Sequence, residues 1–156
     1  MKPYLVIIAA LTGAQAQALS CAAPDPVRAF QAAMTAPETY VVVSGTLALG
    51  TQEPVPDGPK DRARAVPVRF SGMVLTRDGF TQALQTPMTV QITCAGPWCG
   101  SMPDQTGRIY FAEVADGAYT LWLGPCGGSF TPTPQIEALL TSCIRGGACV
   151  PENGLD

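Results

Sequence analysis

Two cysteines stand close together in the heptapeptide CAGPWCG, residues 94–100, with a proline and a tryptophan between them. These residue types occur in dithiol redox sites, where a helix start stabilises one thiolate and the second cysteine resolves a mixed disulfide. Such sites separate their cysteines by two residues, whereas four residues separate Cys94 from Cys99. Gly96 and Pro97 also oppose a helix at this point. The spacing therefore favours structural disulfides, either one bond between these two cysteines or two bonds to others.

Paired carboxylates could still serve as acid and base, although the chain contains no histidine. This composition excludes Ser-His-Asp and Cys-His nucleophiles and histidine-ligated zinc. The cysteines also lack the paired two-residue spacings of a four-cysteine zinc site. The carboxylates that could act as acid or base are Asp25, Glu38, Glu113, Asp116 and Glu137. Asp25 fits a helix cap, Asp116 a turn and Glu137 a first helical turn, and Glu113 lies on a predicted strand. We therefore predict a protein without a catalytic residue, a cofactor or a metal of its own.

The two tryptophans differ in their sequence contexts. Trp122 lies in an alternating strand pattern and is predicted to be a core or half-core residue. Trp98 lies in the loop between two cysteines, beside Pro97 and Gly100. A rigid exposed aromatic side chain on a disulfide-held loop suits a binding surface, and packing over the disulfide is the alternative for Trp98.

Residues 1–20 have the basic start, the apolar run and the small-residue end of a secretory signal peptide. The apolar run is about half the length of a membrane-spanning helix. Small residues allow cleavage after Ala16, Ala18 or Ser20. The segment ALSC, residues 18–21, also resembles a bacterial lipobox with its leucine one position late. Lipidation of Cys21 would anchor the protein to a membrane, so ordinary export and a lipoprotein are both open.

All six cysteines follow this leader, and their even number predicts a disulfide framework in an exported domain. The six residues are Cys21, Cys94, Cys99, Cys126, Cys143 and Cys149. Fifteen connectivities are open to them. An oxidising compartment, the periplasm or the cell exterior, would keep such bonds formed.

The charge balance limits the partners that the protein could bind. Twelve acidic and nine basic residues give a formal net charge of −3. This mild acidity argues against nucleic acid and against anionic lipid surfaces as partners. The basic residues of segment 60–69 lie in or beside a proline-rich loop over 50–65, which we interpret as solvated. We expect one domain over 21–156 with an unknown protein or envelope ligand as its partner, and membrane contact only if Cys21 is lipidated.

Two segments have helical patterns that begin with a capping residue followed by proline. In the first, Asp25 precedes Pro26, and an apolar face follows that comprises Val27, Phe30 and Met34. In the second, Thr133 precedes Pro134, and Gly146 suits the left-handed C-terminal position. The apolar stripe of this second helix comprises Ile136, Leu139, Leu140 and Cys143.

Five segments between the helices have strand patterns, at 39–49, 66–75, 88–94, 108–114 and 118–123. Gly72 interrupts the alternation of the second segment and indicates a bulge or a sharp bend. Ala115-Asp116-Gly117 predicts a hairpin between the last two. Five strands between two helices, without a βαβ rhythm, predict a mainly β fold: a small antiparallel barrel or sandwich that is stapled by disulfides.

The order of these parts resembles the netrin-like module, the five-stranded oligonucleotide/oligosaccharide-binding-type (OB-type) barrel of tissue inhibitors of metalloproteinases. The matching pieces cover most of the chain after the leader, and they are CAAPDPVRAF (21–30), TYVVVSGTL (39–47), VRFSG (68–72), PWCGS (97–101), YTLWLGPCGGSF (119–130) and PTPQIEALLTSC (132–143). The resemblance implies an N-terminal helix, a closed barrel and a C-terminal helix. The chain departs from the inhibitory members in lacking their Cys-x-Cys start, since only Cys21 is present, and Cys94 has no counterpart.

The resemblance also implies that Cys21 bonds to Cys99 or to Cys126. If its partner is Cys126, the bonds Cys94–Cys99 and Cys143–Cys149 could close two short loops. In the inhibitors, the free amine and carbonyl of an N-terminal cysteine chelate a protease's zinc, and cleavage after Ser20 would give this chain such a group. We therefore expect an exported, non-catalytic binding module, with metalloprotease inhibition through Cys21 and a small carboxylate enzyme as alternatives.

Overall fold

Two helices flank eight strands in the computed structural model, which describes residues 20–49, 62–103 and 106–151. The bounds are α1 Pro26–Thr35, β1 Thr39–Leu49, β2 Arg64–Thr76, β3 Gly79–Ile92, β4 Cys94–Ala95, β5 Trp98–Cys99, β6 Arg108–Ala115, β7 Ala118–Leu123, β8 Ser129–Phe130 and α2 Pro134–Arg145. The predicted signal peptide lies outside the described residues except for Ser20, and so does the predicted loop up to residue 61.

Five of the strands close into a barrel in the order β1-β2-β3-β7-β6, because β1 pairs with both β2 and β6. Four of the five pairings are antiparallel, and the pairing of β3 with β7 is parallel. The predicted mainly β fold with a closed five-stranded OB-type barrel, an N-terminal helix and a C-terminal helix is confirmed. The parallel pairing arises because the β6–β7 hairpin inserts β7, and not β6, beside β3.

The long β2–β3 hairpin extends further than the apolar pattern indicated. The third strand was predicted over 88–94, but β3 begins at Gly79 and ends at Ile92. Its first nine residues are mostly exposed and pair with β2, so their backbone hydrogen bonds rather than buried side chains define this part of the strand. Alternating hydrophobicity does not mark such a segment. Cys94 belongs to the separate short strand β4.

Two glycines allow β1 and β2 to approach closely where β1 passes from one partner strand to the other. Gly45 pairs with Gly72 in β2 and also with Arg108 in β6. A Cβ atom on Gly45 would overlap the carbonyl oxygen of Ser71, and one on Gly72 would overlap that of Ser44. The expected bend at Gly72 is therefore a crossing of two glycines, whereas the register shift in the β2–β3 pair lies between Val74 and Leu75.

The helices begin as their capping residues predicted. Asp25 Oδ1 accepts hydrogen bonds from the backbone N–H groups of Val27 and Arg28, at 2.8 and 3.1 Å. Thr133 caps α2 by accepting from the N–H of Ile136. Gly146 ends α2 in the left-handed conformation with φ of 80°.

The predicted apolar face of α1 is wrong at one position. Met34 is exposed, while Ala33 is buried together with Val27 and Phe30. The buried face of α1 therefore ends with the small side chain of Ala33, two residues before the helix ends at Thr35. In α2, Leu140 and Cys143 are the buried residues of the predicted stripe.

The buried residues form two cores that the barrel wall separates. The barrel interior contains Val43, Leu47, Val66, Val68, Phe70, Met88, Val90, Ile92, Tyr110, Ala112, Leu121 and Leu123. The second core lies between the helices and the outside of the barrel and contains Val27, Phe30, Val42, Leu75, Ile109, Leu140 and Cys143. Neighbours along a strand, such as Val42 and Val43, thus face different cores.

Three disulfides use all six cysteines, and they are Cys21–Cys126, Cys94–Cys99 and Cys143–Cys149. The first spans 105 residues, and in the chain-entropy account a bond across so long a loop restricts the unfolded chain most. The three bonds indicate an oxidising, exported compartment. Within the described parts of the chain, no helix is long and apolar enough to cross a membrane.

We predict that Gly72→Ala destabilises the fold by about 1–3 kcal/mol, because the new methyl group would force two paired backbones apart. Urea unfolding followed by circular dichroism measures this loss. Gly107→Ala is the matched control, since a Cβ at Gly107 meets nothing within 4 Å. Equal midpoints for the two variants would show that the close glycine crossing is not required.

Candidate functional site

Aromatic side chains gather on the outer face of the barrel where β1, β6, β7 and β8 lie side by side. Along β6, Tyr110 and Ala112 face the interior, which directs Phe111 and Glu113 outwards. Along β7, Leu121 and Leu123 face the interior, so that Trp122 lies on the outside. The strand pairing therefore brings together outward side chains from separate parts of the chain.

These residues surround a cavity of about 370 Å³, which we call the aromatic pocket. Four aromatic residues line it: Tyr40 from β1, Phe111 from β6, Trp122 from β7 and Phe130 from β8. The remaining lining residues are Pro24, Asp25, Ala29, Cys126 and Gly128. The pocket thus lies between the barrel wall and the start of α1. Its volume is at the small end of the range for ligand sites.

Contacts within the wall hold the aromatic rings in defined positions. The rings of Phe111 and Phe130 meet edge to face with their centroids 6.0 Å apart. The indole N–H of Trp122 donates a 2.7 Å hydrogen bond to Glu113 Oε2. This hydrogen bond satisfies the polar group of Trp122, and the side chain is 48% exposed to solvent.

The pocket is electrostatically negative at its β1 side. Burial raises the pKa of the Tyr40 phenol, and the charges of Glu113 and Glu38 raise it further. Glu113 lies directly opposite Tyr40 in the β1–β6 pairing, which explains why its charge acts on the phenol. Glu113 therefore contacts one pocket aromatic residue and influences a second.

We predict that Glu113→Gln lowers the pKa of Tyr40 while leaving it above its ordinary value, because burial and Glu38 remain. The folded protein holds the phenol proton more tightly than the unfolded chain, so stability falls as pH rises from about 10 towards the folded pKa. This loss should be smaller in the variant. Titration of the Tyr40 ring carbon by NMR measures the shift.

Glu137→Gln is the control for this titration, because Glu137 lies in the first turn of α2 and does not contribute to the raised pKa of Tyr40. An unchanged Tyr40 titration in Glu113→Gln would contradict the arrangement of the two side chains described above.

A second cavity of about 480 Å³ lies on the other side of Pro24. Half of its lining residues are glycine or proline, and the others are Cys99, Ser101, Met102, Arg108, Leu123 and Ser129. The Arg108 guanidinium is engaged by Ser129 and Thr131 through hydrogen bonds of 3.0 to 3.4 Å. The only charged side chain among the described lining residues is therefore also used in holding β8 to β6.

The predicted binding residue Trp98 is 52% exposed on β5 and lines neither cavity described here. The prediction that Trp122 is a core or half-core residue is wrong, because its side chain is 48% exposed on the outer face of β7. The structure thus separates the two tryptophans, and Trp122 joins three aromatic residues that the sequence pattern did not single out.

The cysteines and carboxylates do not form a reactive group in the described ranges. Cys94 and Cys99 face each other across the β4–β5 hairpin, so Cys94 lacks the helix start of a dithiol catalyst. No group of three or more Cys, Asp or Glu residues in the described ranges could hold a metal ion. Of the five candidate carboxylates, Asp25 alone lines the aromatic pocket, and it caps α1.

No protein-family model, curated protein or solved structure matches this sequence. The geometry of the aromatic pocket is therefore the basis for a functional assignment.

Proposed function

We propose that this protein is an exported, periplasmic or secreted, non-catalytic binding module whose ligand occupies the aromatic pocket. The observation that supports this proposal is the gathering of four aromatic residues around one concave site on the outer barrel wall. Aromatic rings with a few polar groups are the usual lining of ligand sites in proteins. A wall built on paired strands holds these rings without help from a loop.

The proposal includes a netrin-like architecture for the module. The N-terminal helix, the closed barrel, the C-terminal helix and the bond from Cys21 to the segment after β7 follow the order that the resemblance implies. Fold alone does not define function, so the binding assignment depends on the pocket and not on this architecture.

The roles of the carboxylates favour binding over catalysis. Asp25 holds two backbone N–H groups of α1, and Glu113 accepts from Trp122. Asp116 has φ of 50° in the turn between β6 and β7. Glu137 lies in the first turn of α2. A pair of carboxylates acting as acid and base would both have to reach one substrate bond, and each described cavity is lined by one carboxylate at most.

We predict that immobilised wild-type protein retains a component of the host's envelope extract, and that Trp122→Ala loses most of this retention. Trp98→Ala is the matched control, because it removes an equally exposed indole outside the pocket. Mass spectrometry identifies the retained component and shows whether it is chemically unchanged.

Equal retention by wild type and Trp122→Ala would contradict the assignment of the pocket. Recovery of a chemically altered component would indicate an enzyme instead of a binding module.

Metalloprotease inhibition is a second candidate, and it is favoured by the position of Cys21. This residue is exposed and is tied to Cys126 by the longest-range disulfide. Cleavage after Ser20 would therefore leave a free amine at a fixed point of the surface. The disulfide also uses the same sulfur that a lipid anchor would need, so the bonded state and the lipoprotein exclude each other.

We predict that a chain beginning at Cys21 inhibits a zinc metalloprotease and that one additional N-terminal alanine abolishes the effect, because acylation of the amine removes a zinc ligand. Initial rates of peptide hydrolysis measure the inhibition. Equal inhibition by both chains would exclude chelation through the amine, and intact mass spectrometry of the native protein shows which N-terminus is present.

A further inference from the structure

The four aromatic residues of the pocket favour a positively charged ligand. Tyr40, Phe111, Trp122 and Phe130 all line the same cavity. An aromatic face carries negative potential and attracts cations, and the attraction is largest for tryptophan and for sites shielded from water. Several rings around one small cavity therefore match a rounded, weakly hydrated cation.

The hydrogen bond of Trp122 strengthens this preference. Its indole N–H donates to the Glu113 carboxylate, which polarises the ring towards greater electron density on its faces. The same carboxylate acts on Tyr40, whose pKa is raised first by burial and then by the charge of Glu113. A tyrosine phenol is neutral at physiological pH, so the Tyr40 ring lines the cavity without a competing charge.

The charged residues at the pocket agree with a cationic occupant. No described lining residue is lysine or arginine, and the one ionisable carboxyl group in the lining belongs to Asp25. The positive end of the α1 dipole also lies at this wall, but Asp25 caps it with two hydrogen bonds and offsets it. Arg28, the nearest basic residue in the sequence, does not line the pocket.

We propose that the aromatic pocket binds a quaternary ammonium group, such as the trimethylammonium group of a small solute or of a lipid headgroup. This inference rests on the proposed binding function and names the chemical class of its ligand. The volume of about 370 Å³ is large enough for a small headgroup. A trimethylammonium group has no N–H donor, so its recognition depends on ring faces and on nearby negative charge.

The test compares choline with 3,3-dimethylbutan-1-ol, which has the same shape without the charge. We expect choline to shift the indole N–H resonance of Trp122 saturably in NMR titrations at constant ionic strength. The neutral analogue should bind at least about tenfold more weakly, which corresponds to a desolvated cation–π contribution. Assignment of the two indole resonances uses the Trp98→Phe variant.

Two variants separate the charge from the shape of the site. Glu113→Gln should weaken choline binding severalfold and leave the neutral analogue unaffected, because glutamine still accepts the indole hydrogen bond. Trp122→Ala should abolish choline binding in calorimetry, and Trp98→Ala should retain it. Circular dichroism confirms that each variant is folded.

Vesicles distinguish the two sources of the ammonium group. Cosedimentation with phosphatidylcholine vesicles, but not with phosphatidylglycerol vesicles, would assign a lipid headgroup as the ligand. Binding of free choline without cosedimentation would assign a small solute.

Equal affinity for choline and its neutral analogue, or no saturable shift, would overturn the proposal. These outcomes differ from failure of the proposed function. If Trp122-dependent retention of envelope material persists without choline binding, the binding module stands and its ligand is not a quaternary ammonium compound.

Discussion

The close crossing of Gly45 and Gly72 is the constraint on which the rest of the structure depends. Around this point β1 leaves β6 and continues along β2, and residues 43–45 pair with both neighbours. A side chain on either glycine would overlap the facing backbone and strain this change of partner. The change of partner closes the five strands into a barrel, and closure is what distinguishes an inner from an outer face.

Closure of the barrel gives the strands an inner and an outer apolar face, and different parts of the protein cover them. The inner face is filled by residues such as Phe70 and Tyr110. The outer face is covered by α1 and α2 over the second core, but the helices do not extend across the part formed by Phe111, Trp122 and Phe130. The aromatic pocket is thus the margin of the second core, where the helical cover ends and the barrel wall continues.

The sequence predicted the elements better than the site for a physical reason. Caps such as Asp25 and Thr133 and the alternation of 108–114 are local signals, and the structure has the elements that they indicate. The aromatic pocket depends on strand register, because Tyr40 meets Glu113 and Ile109 meets Phe130 only through pairing. The outward position of Trp122 could have been inferred from its apolar neighbours Leu121 and Leu123, but its companions on other strands could not.

The Cys21–Cys126 disulfide makes the structure of the pocket depend on the compartment, because the bond forms only where conditions are oxidising. Cys126 lines the pocket, and Pro24 and Asp25 form its N-terminal wall shortly after Cys21. The disulfide between these two cysteines therefore ties the N-terminal wall of the pocket to the segment around Cys126, which is 105 residues away in the sequence. Lipidation would consume the Cys21 sulfur and leave Cys126 unpaired beside the aromatic residues. The choice between a lipid anchor and a disulfide is consequently also a choice about how firmly the N-terminal wall of the binding site is held.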